Sequence, residues 1–447
     1  MDQANQSEGG RGTSRRDFLK TSAVAVPATA VTGLAANAAG YVAASDVIRI
    51  GMIGCGGRNT GAGGQALTAD KGARLVAMAD VMLDRIQERR SELKVKFREQ
   101  VAVDDDHCFA GFDGYKKVIE SVDVVLIANA AKFHPMHMMA AIQAGKHVFV
   151  EKPHAIDPAG IKVVKAACEL ARKKKLSVLS GLQSRYTPMY QEAIQRVHDG
   201  AIGDIVAIEE RYFRAPYVLR PRKPGQSEVE HQGGNQYHFH WLSGDDIPQS
   251  LVHNLDRANW AMKGQPPVRC MGMGGRSTLH EEIYGNVFDH HAVIYEYANG
   301  IRMHAFCRTI PNCFNQTSSM LVGTKGRCFT MLGRIEGENP WQYSGPKANA
   351  GVQTNPVQIE HDELFKAIRG GTPLNSGDYM AQSTLIGIMG QIACYSGKEV
   401  TWEQATTSDF YFAPRPEEVR AGMEPPTRPG PDGVYPVCFT PGVSKLL

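Results

Sequence analysis

The sequence has no uninterrupted apolar run approaching the ~20 residues that a membrane-spanning helix needs. It has no excess of one charge either, with 49 Lys and Arg against 46 Asp and Glu and a net charge of +3. A nucleic-acid-binding chain carries a much larger basic surplus, so the balance argues against that class. The nine cysteines include no Cys-x-x-Cys pair, and no histidines stand at zinc-finger spacing, so buried free thiols are expected. What is present is a hydrophobic content of 43% over 447 residues, enough for two packed domains.

The beginning of the chain reads as an address. Ser14-Arg15-Arg16-Asp17-Phe18-Leu19-Lys20 precedes a weakly apolar stretch over 23–36 and a small-x-small site at Ala36-Asn37-Ala38. That order of parts is the order of a twin-arginine export signal, read by a receptor rather than folded with the domain. A signal peptide over 1–38 and a periplasmic or otherwise exported protein are therefore expected.

Residues 47–53 form a short apolar run, as in a parallel strand buried on both faces. They lead into Gly54-Cys55-Gly56-Gly57-Arg58-Asn59-Thr60-Gly61, a helical segment to about residue 69, and a second apolar run over 73–79 ending in Asp80. This is the strand, glycine turn, helix, strand, acid order of a Rossmann unit. Gly54 permits the tight turn, and Gly56 lets the backbone approach a pyrophosphate on the helix N-terminus. Asn59 replaces the third glycine of the fingerprint, which asks for a looser helix–strand contact with slack supplied by Gly57 and Gly61. Asp80 is suited to accept hydrogen bonds from both adenosine ribose hydroxyls and to repel a 2′-phosphate, which favours NAD over NADP.

Strands over 124–128, 147–150 and 177–180 alternate with helices over 135–144 and 157–175, completing a doubly wound parallel sheet. Long alternating strands begin at 205–213 and continue through 287–297, 300–307 and 318–322, which fits an open, mostly antiparallel sheet. The expected fold is α/β, with a Rossmann domain over 46–185, an α+β domain for substrate and oligomerisation over 186–412, and a Pro-rich strap over 413–447. The polar connection over 214–234, rich in Arg, Pro and Gly, reads as a lid or an oligomer arm.

Gly145-Lys146-His147-Val148-Phe149-Val150-Glu151-Lys152-Pro153 closely resembles the Glu-Lys-Pro signature of the glucose-fructose oxidoreductase and inositol dehydrogenase family, Gfo/Idh/MocA. Gly181-Leu182-Gln183-Ser184-Arg185, Gly200-Ala201-Ile202-Gly203, His253-Asn254-Leu255-Asp256, Gly323-Thr324-Lys325-Gly326 and residues 360–368 follow in that family's order, so the resemblance covers about 47–402. It implies a nicotinamide-dependent oxidoreductase of a sugar, sugar acid or cyclitol, and a homodimer or homotetramer built on the outer face of the second sheet. NAD is then expected at Gly54, Gly56, Gly57, Arg58, Asn59, Asp80, Glu151 and Lys152. Lys152, held by Pro153 at a strand end, takes the role of the ammonium that stabilises alkoxide character on the substrate, and His253 that of the acid/base.

Arg185 and Gln249 are expected to contact substrate. The family's sugar dehydrogenases commonly carry an Asp where this chain has Gln249, so the usual three-residue proton relay is in question; Asp256, one helical turn from His253, is either a substitute or simply part of the helix. His238 and His240 are candidate carbohydrate contacts, with metal ligation or core packing as the other readings, and no metal-ligand set has diagnostic spacing. Two other functions suit the same residues, namely NAD-dependent glycoside hydrolysis by transient oxidation and elimination, and non-enzymatic binding on the same fold. NADH released outside the cytoplasm would be lost to dilution, so an exported enzyme is expected to retain its NAD tightly.

Overall fold

The computed structural model describes residues 47–346 and 352–447, so the expected export signal over 1–38 lies outside the described residues. The first half alternates strand and helix: β1 (Ile48–Ile53), α1 (Gly57–Ala69), β2 (Ala73–Asp80), α2 (Leu83–Phe97), β3 (Cys108–Ala110), α3 (Gly114–Ser121), β4 (Val124–Ile127), α4 (His134–Gln143), β5 (His147–Val150), α5 (Pro158–Lys174) and β6 (Val178–Ser180). The six strands are parallel and lie in the order β3-β2-β1-β4-β5-β6, the doubly wound Rossmann arrangement. Helices cover both faces, which is why every residue of β4 and β5 is buried and neither strand alternates in sequence. α5 starts where the Asp157 carboxylate accepts from the Gly160 N–H at 2.8 Å, and ends at Lys175 in the left-handed conformation.

The chain continues through α6 (Pro188–His198), β7 (Ile205–Phe213), α7 (Glu228–Gly234), α8 (His240–Ser243), a π-helical turn (Ile247–Leu251) and α9 (Val252–Ala261). Then come β8 (Arg269–Gly275), β9 (His290–Glu296), β10 (Arg302–Arg308), β11 (Gln316–Gly323), β12 (Gly326–Phe329), β13 (Arg334–Gly337) and β14 (Trp341–Gln342). α10 (Pro356–Gly370), α11 (Gly377–Ser396), β15 (Val400–Thr401) and α12 (Trp402–Thr407) follow. The nine strands form one sheet, β14-β13-β12-β11-β7-β10-β9-β8-β15, in which β7 and β10 run parallel and the other neighbours antiparallel.

One face of this sheet is buried by α9 and α11. α11 is apolar nearly all round and approaches so closely that a Cβ added at Gly390 would fall 2.0 Å from the Tyr295 hydroxyl. The opposite face carries Met271 and Met273, 43% and 73% exposed, with Met271 opposite Ile294 and Met273 opposite Ala292. Beyond α12 the chain runs over the surface with little regular structure, yet it buries Val419 and Tyr435.

Candidate active site

The C-terminal ends of β1, β2, β4 and β5 converge on one edge of the parallel sheet, where open α/β sheets bind ligands. After β1, Gly54 has φ +86° and an added Cβ would lie 2.7 Å from the Asn129 backbone, so only glycine fits. Beside it, a Cβ added at Gly56 or Gly57 would meet nothing within 4 Å. The first turn of α1 has no side-chain cap and no acidic residue, which leaves its N–H groups without a side-chain partner. That cradle suits a pyrophosphate.

Asn59 does not line this space. It is fully buried behind it, and its Nδ2 donates to the carbonyls of Ile53, Gly54 and Leu126 at 3.1, 2.7 and 3.1 Å. The looser contact expected of a side chain here is replaced by a polar staple. The close helix–strand approach falls instead at Gly63, where a Cβ would sit 2.9 Å from the Met52 sulfur, while Gly57 faces open space. Asp80 closes β2, with Oδ2 accepting from the Cys55 N–H at 2.7 Å and Oδ1 from the Met82 N–H at 3.1 Å, and Arg85 lies 3.6 Å away.

Two adjoining clefts open from this edge. The first is lined by Gly54, Gly56, Asp80, Arg85, Phe112 and, from the second domain, Gly234. The second, about 210 Å³, is polar and lined by Arg58, Glu151, Lys152, Tyr237, Gln249 and His253 among others. Ala128, Asn129 and Gln236 line both, which makes them one continuous space.

Within the second cleft Glu151 is neutralised by Arg58, whose Nε donates to it. A second buried carboxyl, Glu360, lies 3.8 Å from Arg58 and has no hydrogen-bond partner among the described residues. Burial and the Glu151 charge push its pKa well above the ordinary carboxylate value. Lys152 follows β5 with a cis peptide bond to Pro153, and its Nζ donates to the main-chain carbonyl of Gln249 at 2.7 Å. Gln249 sits in the π-helical turn, a feature common at functional sites, and is part of the cleft lining. Four residues on, His253 enters the same cleft from α9. Burial, then the Lys152 and Arg257 charges, hold its pKa well below the ordinary imidazole value, and its Nδ1 has no partner among the described residues. The cleft therefore sets a fixed ammonium beside a neutral imidazole, a donor and an acceptor for one hydroxyl.

The other expected contacts are placed elsewhere. Arg185 is bound to Asp256, with Nη2–Oδ1 at 2.8 Å, and lies over the rings of Trp260 and Tyr379 outside the cleft lining. Asp256 also accepts from the Ser383 hydroxyl at 2.8 Å, so it is committed away from His253. His238 and His240 are buried outside the cleft, and burial pushes both to about 4. His240 pairs with Asn286 at 2.9 Å among Phe412 and Phe439. Just before them in sequence, Gln236 and Tyr237 are the residues that line the cleft, together with Tyr217 and Gln183. Tyr217 and Tyr237 pack at 4.9 Å, with Arg214 over the Tyr217 ring.

Residues 48–181 match the oxidoreductase family with an NAD-binding Rossmann fold, GFO_IDH_MocA. The chain is 29% identical to inositol 2-dehydrogenase of Acidothermus cellulolyticus over 216 residues, 48% of this chain and 53% of that protein. Inositol 2-dehydrogenase of Burkholderia lata is 28% identical over 258 residues, 57% of this chain and 66% of its own length. The chain thus matches about half to two thirds of the length of these curated relatives. Among solved structures, levoglucosan dehydrogenase in complex with NADH and levoglucosan shares the fold with a TM-score of 0.61 at 18% identity, over 80% of this chain and 99% of that one. The aldose-aldose oxidoreductase of Caulobacter crescentus does so with a TM-score of 0.59 at 19% identity, over 79% and 99%.

Proposed function

We propose that this chain, whose residues 48–181 match the Gfo/Idh/MocA oxidoreductase family, is an NAD-dependent dehydrogenase that oxidises a secondary hydroxyl of a sugar, sugar acid or cyclitol. The observation that carries this reading is the meeting of Lys152 and the unprotonated His253 on a polar cleft continuous with the glycine cradle. A bound nicotinamide would supply the hydride acceptor for the carbinol carbon. The Lys152 ammonium donates to the substrate oxygen as alkoxide character develops, and neutral His253 takes the hydroxyl proton. The Gln249 amide binds a second hydroxyl, and the Tyr217 and Tyr237 rings offer an apolar face to C–H groups. The ring polyols and sugars named for the relatives support this substrate class.

Three further parts of the reading belong with it. NAD is retained through the cycle, which is supported by α7 closing the first cleft with Val229, Glu230, Gly233 and Gly234. A homo-oligomer forms on the outer sheet face, supported by its exposed Met271 and Met273 and measurable by light scattering of the eluted protein. Export by the 1–38 signal is supported by the Ser14 to Lys20 pattern, and an N-terminus at Ala39 in the mature protein is its test.

The deciding experiment titrates purified protein with NAD+ and follows NADH absorbance with myo-inositol, levoglucosan and aldoses. Failure to bind NAD(H) or NADP(H) would sink the proposal. Turnover that survives exhaustive dialysis without added NAD+ is the result expected of retention. Phenol release from aryl glycosides without an added acceptor would instead mark the hydrolytic chemistry.

A further inference from the structure

α7 forms one wall of the first cleft, yet it has little means of standing alone. It is seven residues, Glu-Val-Glu-His-Gln-Gly-Gly, far below the length at which an isolated helix is stable and closing on two glycines. Its own contribution is a capping box between Ser227 and Glu230. Part of the rest of its support comes from the far end of the chain.

Tyr435 is fully buried, its ring edge-on to Phe239 at 4.9 Å, and its hydroxyl donates to the Glu228 carboxylate. Arg222 closes the group, with Nη2 2.8 Å from Glu228 and 3.1 Å from the Tyr435 hydroxyl, and Nε 2.8 Å from Glu282. One turn along, buried Gln232 donates to the Thr427 carbonyl at 2.8 Å and accepts from the Trp241 indole N–H at 2.7 Å. Arg276 fixes the tail in turn by donating to the Tyr435 carbonyl at 2.6 Å. Glu228 and Gln232 therefore face the tail, while Val229, Glu230, Gly233 and Gly234 of the same helix face the cleft.

We propose that Tyr435 is a positioning residue for the dinucleotide: the C-terminal tail latches α7 against the cofactor cleft and so sets how fast the dinucleotide leaves. The proposal rests on the dinucleotide reading above. A dinucleotide leaving past α7 must displace a wall whose hold includes a buried hydrogen bond to a carboxylate, the stronger kind. Tyr435 touches neither the cleft nor the reacting atoms, so its loss acts on release and not on chemistry.

The test uses full mature protein loaded with NADH, chased with excess NAD+, with release followed by NADH fluorescence. Tyr435→Phe keeps the ring on Phe239 and removes the hydroxyl, and is expected to speed release about tenfold or more. Arg222→Met, which removes the same group from its other side, is expected to do likewise. kcat at saturating NAD+ stays at the wild-type value in Tyr435→Phe, while KM for NAD+ rises. Wild-type release from Tyr435→Phe, or a fall in kcat with release unchanged, would overturn the latch and leave the dinucleotide reading standing. A wild-type protein that binds no NADH refutes that reading, and the latch with it.

Discussion

A histidine that carries no proton at neutral pH is a base ready for use, and the surroundings of His253 hold it in that state. Lys152→Met and His253→Ala are each expected to lower kcat/KM by about a hundredfold or more while dinucleotide affinity changes little, as titration and steady-state rates of the two variants would show. Because its pKa is held down, the acid limb of the kcat/KM profile should lie below the ordinary imidazole value of about 6.5. Gln249→Asp adds a carboxylate that favours the imidazolium, so that limb should move to higher pH, and an unmoved limb would remove His253 from the proton path. The convergence of Lys152, Gln249 and His253 was legible because the motifs name residues at fixed places on strand and helix ends. Arg185, His238 and His240 lie outside the cleft lining for a physical reason, since side-chain direction is decided by partners distant in sequence. Arg185 meets Asp256, and His240 meets Asn286. Tyr217 and Gln236 carried no periodic signal that would have singled them out.

The same limit operates on whole elements. Most of the parallel strands follow from short apolar runs with glycine and aspartate punctuation: β1, β2, β4, β5 and β6 fall where those runs stand, while the three-residue edge strand β3 has no such run. α11 has no such signature, because a helix buried on all sides has no polar stripe to set its period. The π-helical turn is equally silent, being a matter of hydrogen-bond register rather than composition. At the glycine turn, Asn59 departs from the fingerprint and does structural work in doing so. Asn59→Gly would restore the consensus and leave three carbonyls without their shared donor. It is expected to destabilise the protein by about 1–3 kcal/mol, measured by denaturant unfolding, and an unchanged midpoint would show that the staple is worth nothing.

Taken as a whole, the molecule hides many imidazoles in neutral form. Burial pushes His137, His154 and His361 to about 3, and His147, His238 and His240 to about 4. Their folded values lie below the unfolded value of about 6.5, so the unfolded chain binds more protons between those limits. Stability is then full above about pH 6.5 and is lost as pH falls towards 4, by up to about 1.4 kcal/mol per pH unit for each imidazole. A thermal midpoint that drops steeply between pH 7 and pH 5, where few carboxylates titrate, is the expected result, and a flat midpoint would contradict it.

The bond from Lys152 to Gln249 ends on the main chain and spans the two sheets' domains. No substitution at position 249 deletes a carbonyl, so the lysine keeps its aim whatever side chain stands there. Position 249 can therefore vary over evolutionary time as a dial for substrate and proton handling, with the lysine's aim insulated from the drift.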